Sequence, residues 1–411
     1  MIQRLLRKTH GSQARHHPRS FRRCQDRRSW HGGRAFDPDE GVVVHDRIGN
    51  IKPPRRQHAD PSRLRVQGQQ AGSATAGDNA GQSRVTNYRG EPRLAHRAVA
   101  GSGPGTVRTL RRHTLGDLLR RTAARMPARR AIVHGDVSWS YAEFDTVCNR
   151  LAHGLAARGL RPGDRLALLS RNSHQFVAIR FAVARLGAVL VPVNFMLTAE
   201  EVAYVLGHSG ARMLCVEDEF APVARDAVTD TAVETVICLG GEASAAQAGW
   251  IPFEQVSSPD DQEPVVELDT GDLAQIIYTS GTESRPKGAM LTHDAVIWQY
   301  VSCIIDAEIS ADDVLLHALP LYHCAQLDVF LGPAVYVGAS NVIAAQPQPE
   351  VVLPMIARHQ VTSFFAPPTV WIALLRSPLF DQTDLSSLRK GYYGAAIMPA
   401  EILGELGRRL P

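Results

Sequence analysis

An α/β protein built on largely parallel sheet is the fold this sequence predicts, and three patterns carry that expectation. Short apolar runs such as Leu166-Ala167-Leu168-Leu169 and residues 188–193 read as buried strands. Segments of helical spacing lie between them, and strands alternating with helices of roughly 10–15 residues imply parallel pairing through crossovers. Glycine, proline and one clear capping box mark the joins: Pro127 and Gly159 follow helical stretches, and Thr198-Ala199-Glu200-Glu201 opens one. The hydrophobic fraction of 44% suits a protein with a sizeable core.

Taken in order, residues 115–126 have apolar positions at helical spacing. A short hairpin is expected from Ala131-Ile132-Val133 and 137–139 around Gly135-Asp136. Residues 141–160 read as a helix, 166–169 as a strand, 175–186 as a helix and 188–193 as a strand. The helix opened at Thr198 precedes strands over 213–216 and 235–239. The run Leu273-Ala274-Gln275-Ile276-Ile277 is another buried strand, followed later by a helix over 294–306, a strand over 314–318 and a helix over 327–337. Ser363-Phe364-Phe365-Ala366-Pro367-Pro368-Thr369 continues the alternation.

The 411 residues correspond to two or three domains at about 150 residues each. Charge divides them unevenly. Residues 1–105 carry 20 Lys and Arg against 8 Asp and Glu, whereas 106–411 carry 25 against 33. The first segment sustains no helical or strand period and holds Arg/His clusters and Gly/Ser/Gln-rich stretches, so it is expected to be disordered. Its arginine with almost no lysine also fits translation of GC-rich DNA that is not a genuine coding region. A basic arm for nucleic acid is the weaker alternative, because no recognisable fold motif or amphipathic stripe accompanies the charge. The six cysteines are widely spaced with no C-x-x-C pair, as in a reduced cytoplasmic protein, and the start lacks the apolar core of a signal peptide. The most apolar region, 176–193, contains Arg180 and Arg185, so no membrane span is expected.

The chemistry concentrates after the strand at 273–277. Tyr278-Thr279-Ser280-Gly281-Thr282-Glu283-Ser284-Arg285-Pro286-Lys287-Gly288 offers hydroxyl donors, a glycine that lets backbone approach anionic oxygens, and a compact cation held by proline. The chain has four lysines against forty-one arginines, so a lysine kept here points to a specific role. The spacing is not that of a Walker A loop, and on residues alone a solvated loop remains the alternative. This segment resembles the signature loop of the AMP-forming acyl-CoA synthetase, adenylation-domain and luciferase superfamily, Y-T-S-G-T-[TE]-[GS]-x-P-K-G. Two further stretches resemble motifs of that superfamily: Leu319-Pro320-Leu321-Tyr322-His323, and Gly394-Ala395-Ala396-Ile397, where isoleucine stands in place of a frequent proline. Arg161-Pro162-Gly163-Asp164-Arg165 and Gly187-Ala188-Val189 resemble its N-terminal region.

The resemblance covers roughly 106–411 and is strongest to bacterial fatty-acyl-CoA synthetases. It implies a partial N-terminal domain of the adenylate-forming fold, with mixed and parallel sheets flanked by helices. Thr279, Ser280, Gly281, Thr282 and Lys287 would hold the phosphates of ATP, and Gly394, Ala395 and Ala396 would border adenine. His323 would contact the substrate carboxylate, His293 would position the helix start, and Cys324 would be a wall residue. ATP, Mg2+ and coenzyme A are the implied cofactors, with no metal ligand assigned. A fatty acid is the implied substrate, with aryl and amino acids as alternatives. Peripheral membrane contact fits such a substrate, and nucleic-acid binding does not. The superfamily's Y-G-x-T-E segment and small C-terminal domain find no counterpart here. The chain alone is therefore expected to be inactive or nearly so, or to bind nucleotide without turnover.

Overall fold

A computed structural model describes Gln3–Leu5 by backbone, 112–279 and 285–411. Apart from Gln3–Leu5, the 1–105 segment lies outside the described residues, as do Ser280, Gly281 and Thr282. The chain divides into two units, residues 1–10 with 101–411 and residues 11–100, and every described element belongs to the first.

Two seven-stranded sheets carry the described residues. In the first, Lys390–Tyr393, Ser363–Ala366, Val314–His317, Ser340–Ile343 and Arg130–His134 run parallel in that spatial order. Gln3–Leu5 and Val137–Ser140 close its two edges antiparallel. In the second, Leu273–Thr279, Val189–Pro192, Arg165–Leu169, Ala211–Val216, Thr235–Cys238 and Ile251–Pro252 are parallel neighbours. Lys287–Thr292 adds the one antiparallel edge, with Lys287 directly opposite Thr279. The expected alternation is therefore present, and each sheet is mixed only at its edges.

Capping chemistry starts three helices, at Thr198 as the sequence predicts and at Thr114 and Ser140 besides. Thr114, Ser140 and Thr198 each accept the N–H three residues on, and Asp117, Glu143 and Glu201 each return to the cap backbone. The helices Tyr141–Ala157 and His174–Arg185 lie in the core that the sheets share. One cluster of buried side chains contains Phe144 and Leu151, Phe176 and Ile179, Ile132 and Ile343 of the first sheet, and Leu166, Leu168 and Leu190 of the second. Every residue from Phe176 to Arg185 is buried, so the two arginines in this stretch, Arg180 and Arg185, pair inside the protein with Asp328 and Asp145. No described helix is long and apolar enough to cross a membrane.

Two elements differ from the sequence expectation. Residues 287–292 form a strand rather than a loop leading into helix His293–Asp306. The helix expected over 327–337 is a π-helical segment, Leu327–Leu331, continued by α-helix Gly332–Val337. Pro333 has no N–H to serve the Val329 carbonyl, so the regular ladder cannot run through that point.

Asp117 anchors the first helix against the rest of the unit. Its carboxylate accepts from Thr114 at 2.8 Å, from Arg112 at 3.0 Å and from Arg120 at 2.9 Å. Burial alone would raise its pKa, but these hydrogen bonds outweigh it and hold the pKa at about 2. A depressed carboxyl pKa contributes stability above its unfolded value of 3.8 that is lost as pH falls toward about 2. Urea midpoints of the wild type and Asp117→Asn are accordingly expected to differ at pH 6 and to converge between pH 4 and 2. A gap unchanged across that window would remove Asp117 from the acid response.

Candidate active site

In the first sheet the chain begins its central trio at Val314–His317, adds Ser340–Ile343 on one side and then Ser363–Ala366 on the other. The winding reverses there, and ligands of such sheets bind beyond the carboxyl ends of the strands at that reversal. Leu319–His323 leaves the end of Val314–His317, and Gly394–Ala396 leaves the end of Lys390–Tyr393 in the same sheet. Both stretches singled out in the sequence thus emerge on one edge.

A cavity of about 320 Å³ lies beside the first of them. Tyr322, His323 and Cys324 form one wall, and Tyr278, Thr279 and Pro286, which flank the hydroxyl-rich loop, form another. Pro192, Val193, Leu197, Val205 and Ile277 make the remainder largely apolar. The structure therefore brings Thr279 and His323 to one space. Lys287 is exposed on the same rung, directly opposite Thr279, and does not line the cavity. Gly394, Ala395 and Ala396 do not line it either.

His323 caps the short helix Cys324–Gln326, its Nδ1 accepting the Ala325 N–H at 3.1 Å. With Nδ1 accepting, the proton of the neutral ring resides on Nε2, which is then a donor suited to a carboxylate oxygen. Cys324 lines the same wall, and burial pushes its thiol pKa up, with the charge of Asp328 adding to the effect. A raised thiol pKa disfavours the reactive thiolate.

The flanks of the hydroxyl-rich loop are tied to one helix. On Ala199–Ser209, Tyr204 donates to the Pro286 carbonyl at 3.2 Å, and His208 Nδ1 shares a 2.7 Å hydrogen bond with the Tyr278 hydroxyl. Tyr204 and His208 are four residues apart and so lie on one helix face. Arg285 stacks over the Tyr204 ring at 5.3 Å. Neither anchor is evident from sequence motifs; the signal was an aromatic and a histidine at helical spacing in the helix opened by Thr198.

At the third stretch, Gly394 is buried while Ala395 and Ala396 are exposed. Ala395 has φ of 65°, the left-handed region that a side chain enters at a cost. The strand before it is fixed by Trp371 Nε1 donating to the Tyr392 carbonyl at 2.9 Å. His293 is fully buried, and its Nδ1 accepts the Leu115 N–H at 3.3 Å. Burial, chiefly, lowers its pKa to about 4. That agrees with a positioning role at the helix start.

The donor set at Thr279 and Lys287 fits a polyphosphate: a hydroxyl and a compact cation on one rung of a hairpin. Magnesium finds no such set among the described residues. Glu201, the carboxylate lining the cavity, accepts through Oε2 from the Thr198 N–H and hydroxyl at 2.9 and 3.1 Å, and no cluster of three His, Cys, Asp or Glu suited to a metal is found among the described residues.

Comparison with known proteins agrees with this geometry. Residues 119–411 match the model of the AMP-binding enzyme family. A feruloyl-CoA synthase from Amycolatopsis sp. is 34% identical over 293 residues, covering 71% of this chain and 56% of the relative. The long-chain-fatty-acid–CoA ligase FadD13 of Mycobacterium tuberculosis is 32% identical, with 70% and 56% covered. The crystal structure of the inhibitor-bound N-terminal domain of FACL13 from the same organism superposes with a TM-score of 0.64 at 30% identity, covering 72% of this chain and 74% of that one. The chain spans 56% of the length of these curated relatives. On the match over 119–411 and the shared fold, the chain belongs to the AMP-binding enzyme family, and the two curated relatives are acyl-CoA ligases.

Proposed function

We propose that this chain supplies the nucleotide- and acid-binding part of an ATP-dependent, AMP-forming acid–thiol ligase. A carboxylate would attack the α-phosphorus of ATP and pyrophosphate would leave; the resulting acyl-adenylate would then pass its acyl group to the thiol of coenzyme A. The observation that carries the reading is the cavity in which Thr279, at the mouth of the hydroxyl-rich loop, faces the segment bearing His323. Thr279 and Lys287 would hold the departing phosphates, where charge develops, and the His323 Nε2–H would hold the carboxylate. Gly394, Ala395 and Ala396 would border the adenine, with Ala395 held in its left-handed conformation so that the turn presents backbone to a flat base. Mg2+ would be supplied with ATP and would neutralise charge on its phosphates.

The apolar wall formed by Val193, Leu197, Val205 and Ile277 supports an acid with a hydrophobic body. A fatty acid is the substrate proposed first. A phenylpropenoid acid is the second reading, favoured by the 34% identity to a feruloyl-CoA synthase.

Isothermal titration of the full chain with ATP and with a sulfamoyl-linked mimic of decanoyl-adenylate tests the proposal. Both are expected to bind and to compete, with little or no acid-dependent pyrophosphate release from the chain alone. Binding of neither ligand at millimolar concentration would reject the reading. Comparing the affinities of decanoyl- and feruloyl-adenylate mimics separates the two substrate classes.

A further inference from the structure

The segment that carries His323 does not hold itself in place. Once Val314–His317 ends, the backbone of Leu319 to Leu321 has left its ladder, and Pro320 contributes no N–H. Its polar groups are met by one side chain from the other sheet. Asn172 sits in the connection between strand Arg165–Leu169 and helix His174–Arg185 and is 3% exposed. Its Nδ2 donates to the Leu319 carbonyl at 2.8 Å and to the Ala344 carbonyl at 3.0 Å, with the His317 carbonyl more distant at 3.5 Å. Its Oδ1 accepts the Leu321 N–H at 2.7 Å. The next link is short: the His323 N–H donates to the Pro320 carbonyl at 3.1 Å.

Few side chains can do this. The position needs two donors and one acceptor within a single planar group, which an amide provides. Aspartate would turn a second acceptor toward two carbonyls. Leucine would leave the Leu319 and Ala344 carbonyls and the Leu321 N–H without a buried partner. We infer that Asn172 is the positioning residue for His323, setting where the imidazole stands in the cavity by clamping the two residues on either side of Pro320. It reaches across from the second sheet to the carboxyl edge of the first, so it also fixes the spacing of the two walls at the site. This inference rests on the acid-binding role proposed for His323.

The test uses the full chain with Asn172→Ala and Asn172→Asp. Ser173→Ala is the control, because Ser173 Oγ caps the same connection by accepting the Phe176 N–H at 3.1 Å. The ring resonances of His323, in protein carrying labelled histidine and assigned by their loss in His323→Ala, report its placement without any ligand. Both Asn172 variants should shift them, and Ser173→Ala should not. The decanoyl-adenylate mimic should bind about tenfold more weakly to Asn172→Ala, with ATP affinity unchanged. In a His323→Ala background the Asn172→Ala loss should vanish, because the two act as one unit. Ring signals unmoved by both Asn172 substitutions, or a loss that stays additive with His323→Ala, would overturn the inference. If the wild type binds neither ligand the functional reading falls, and the resonances still decide the clamp. Should Asn172→Ala fail to fold, the isosteric Asn172→Asp carries the same readouts.

Discussion

Replacing Asp328 with alanine is expected to destabilise the protein by about 3–5 kcal/mol, the cost of leaving a buried charge unpaired. Asp328 is 1% exposed and lies in the π-helical segment behind the cavity wall. It faces Arg180 at 3.4 Å, accepts from Tyr300 at 3.1 Å and from Gln275 at 2.7 Å. Four elements meet at this one carboxylate: helix His174–Arg185, helix His293–Asp306, strand Leu273–Thr279 and the π segment. Burial raises its pKa, against the opposing pull of Arg180, Gln275 and Tyr300. Arg180 Nη1 and Gln275 Oε1 are buried without a protein partner, so the cluster is incompletely satisfied. A double substitution, Arg180→Met with Asp328→Leu, is therefore expected to recover most of the loss. Urea unfolding of the single and double variants decides the matter. A single substitution costing under about 1 kcal/mol would show that the cluster carries little.

Lys287→Ala is expected to weaken ATP binding by roughly 10–100-fold, the usual consequence of losing one charge-assisted contact to phosphate. Lys287 is exposed and stands on the edge strand, so its removal should change stability by no more than about 0.5 kcal/mol. The specific signature is a split between ligands. An adenylate mimic lacks the β- and γ-phosphates, so its affinity should persist while ATP binding weakens. Equal ATP affinity in the variant and wild type would remove Lys287 from the phosphate site.

The fold was legible where local chemistry and packing agree. The Thr198–Glu201 capping box, the 130–140 hairpin and the alternation of strands with helices all stand where side-chain pattern placed them. What escaped was set by distant partners. Lys287–Thr292 is a strand because Leu273–Thr279 lies beside it; its own residues, including Gly288 and exposed Met290, show no strand pattern. Gln275 and Arg180 are polar residues inside apolar stretches, and their shared partner Asp328 is far along the chain. Asn172 had no motif around it, and its hydrogen-bond partners are 145 to 172 residues away. The candidate site was legible as three motifs, yet their meeting was only partly so. Thr279 and His323 share a cavity, whereas Lys287 and Gly394–Ala396 stand outside it.

The cavity takes one wall from each sheet: Thr279 and Pro192 belong to strands of the second, and the His323 segment leaves a strand of the first. Occupancy is thereby linked to the docking of the two halves on each other. A ligand filling that space binds the docked state and not the separated one, so it acts as a removable rivet. At a hundred times its Kd it would add about 2.7 kcal/mol to the unfolding free energy. Amide protection should then rise together in Leu273–Thr279 and Val314–His317, two strands that share no hydrogen bond.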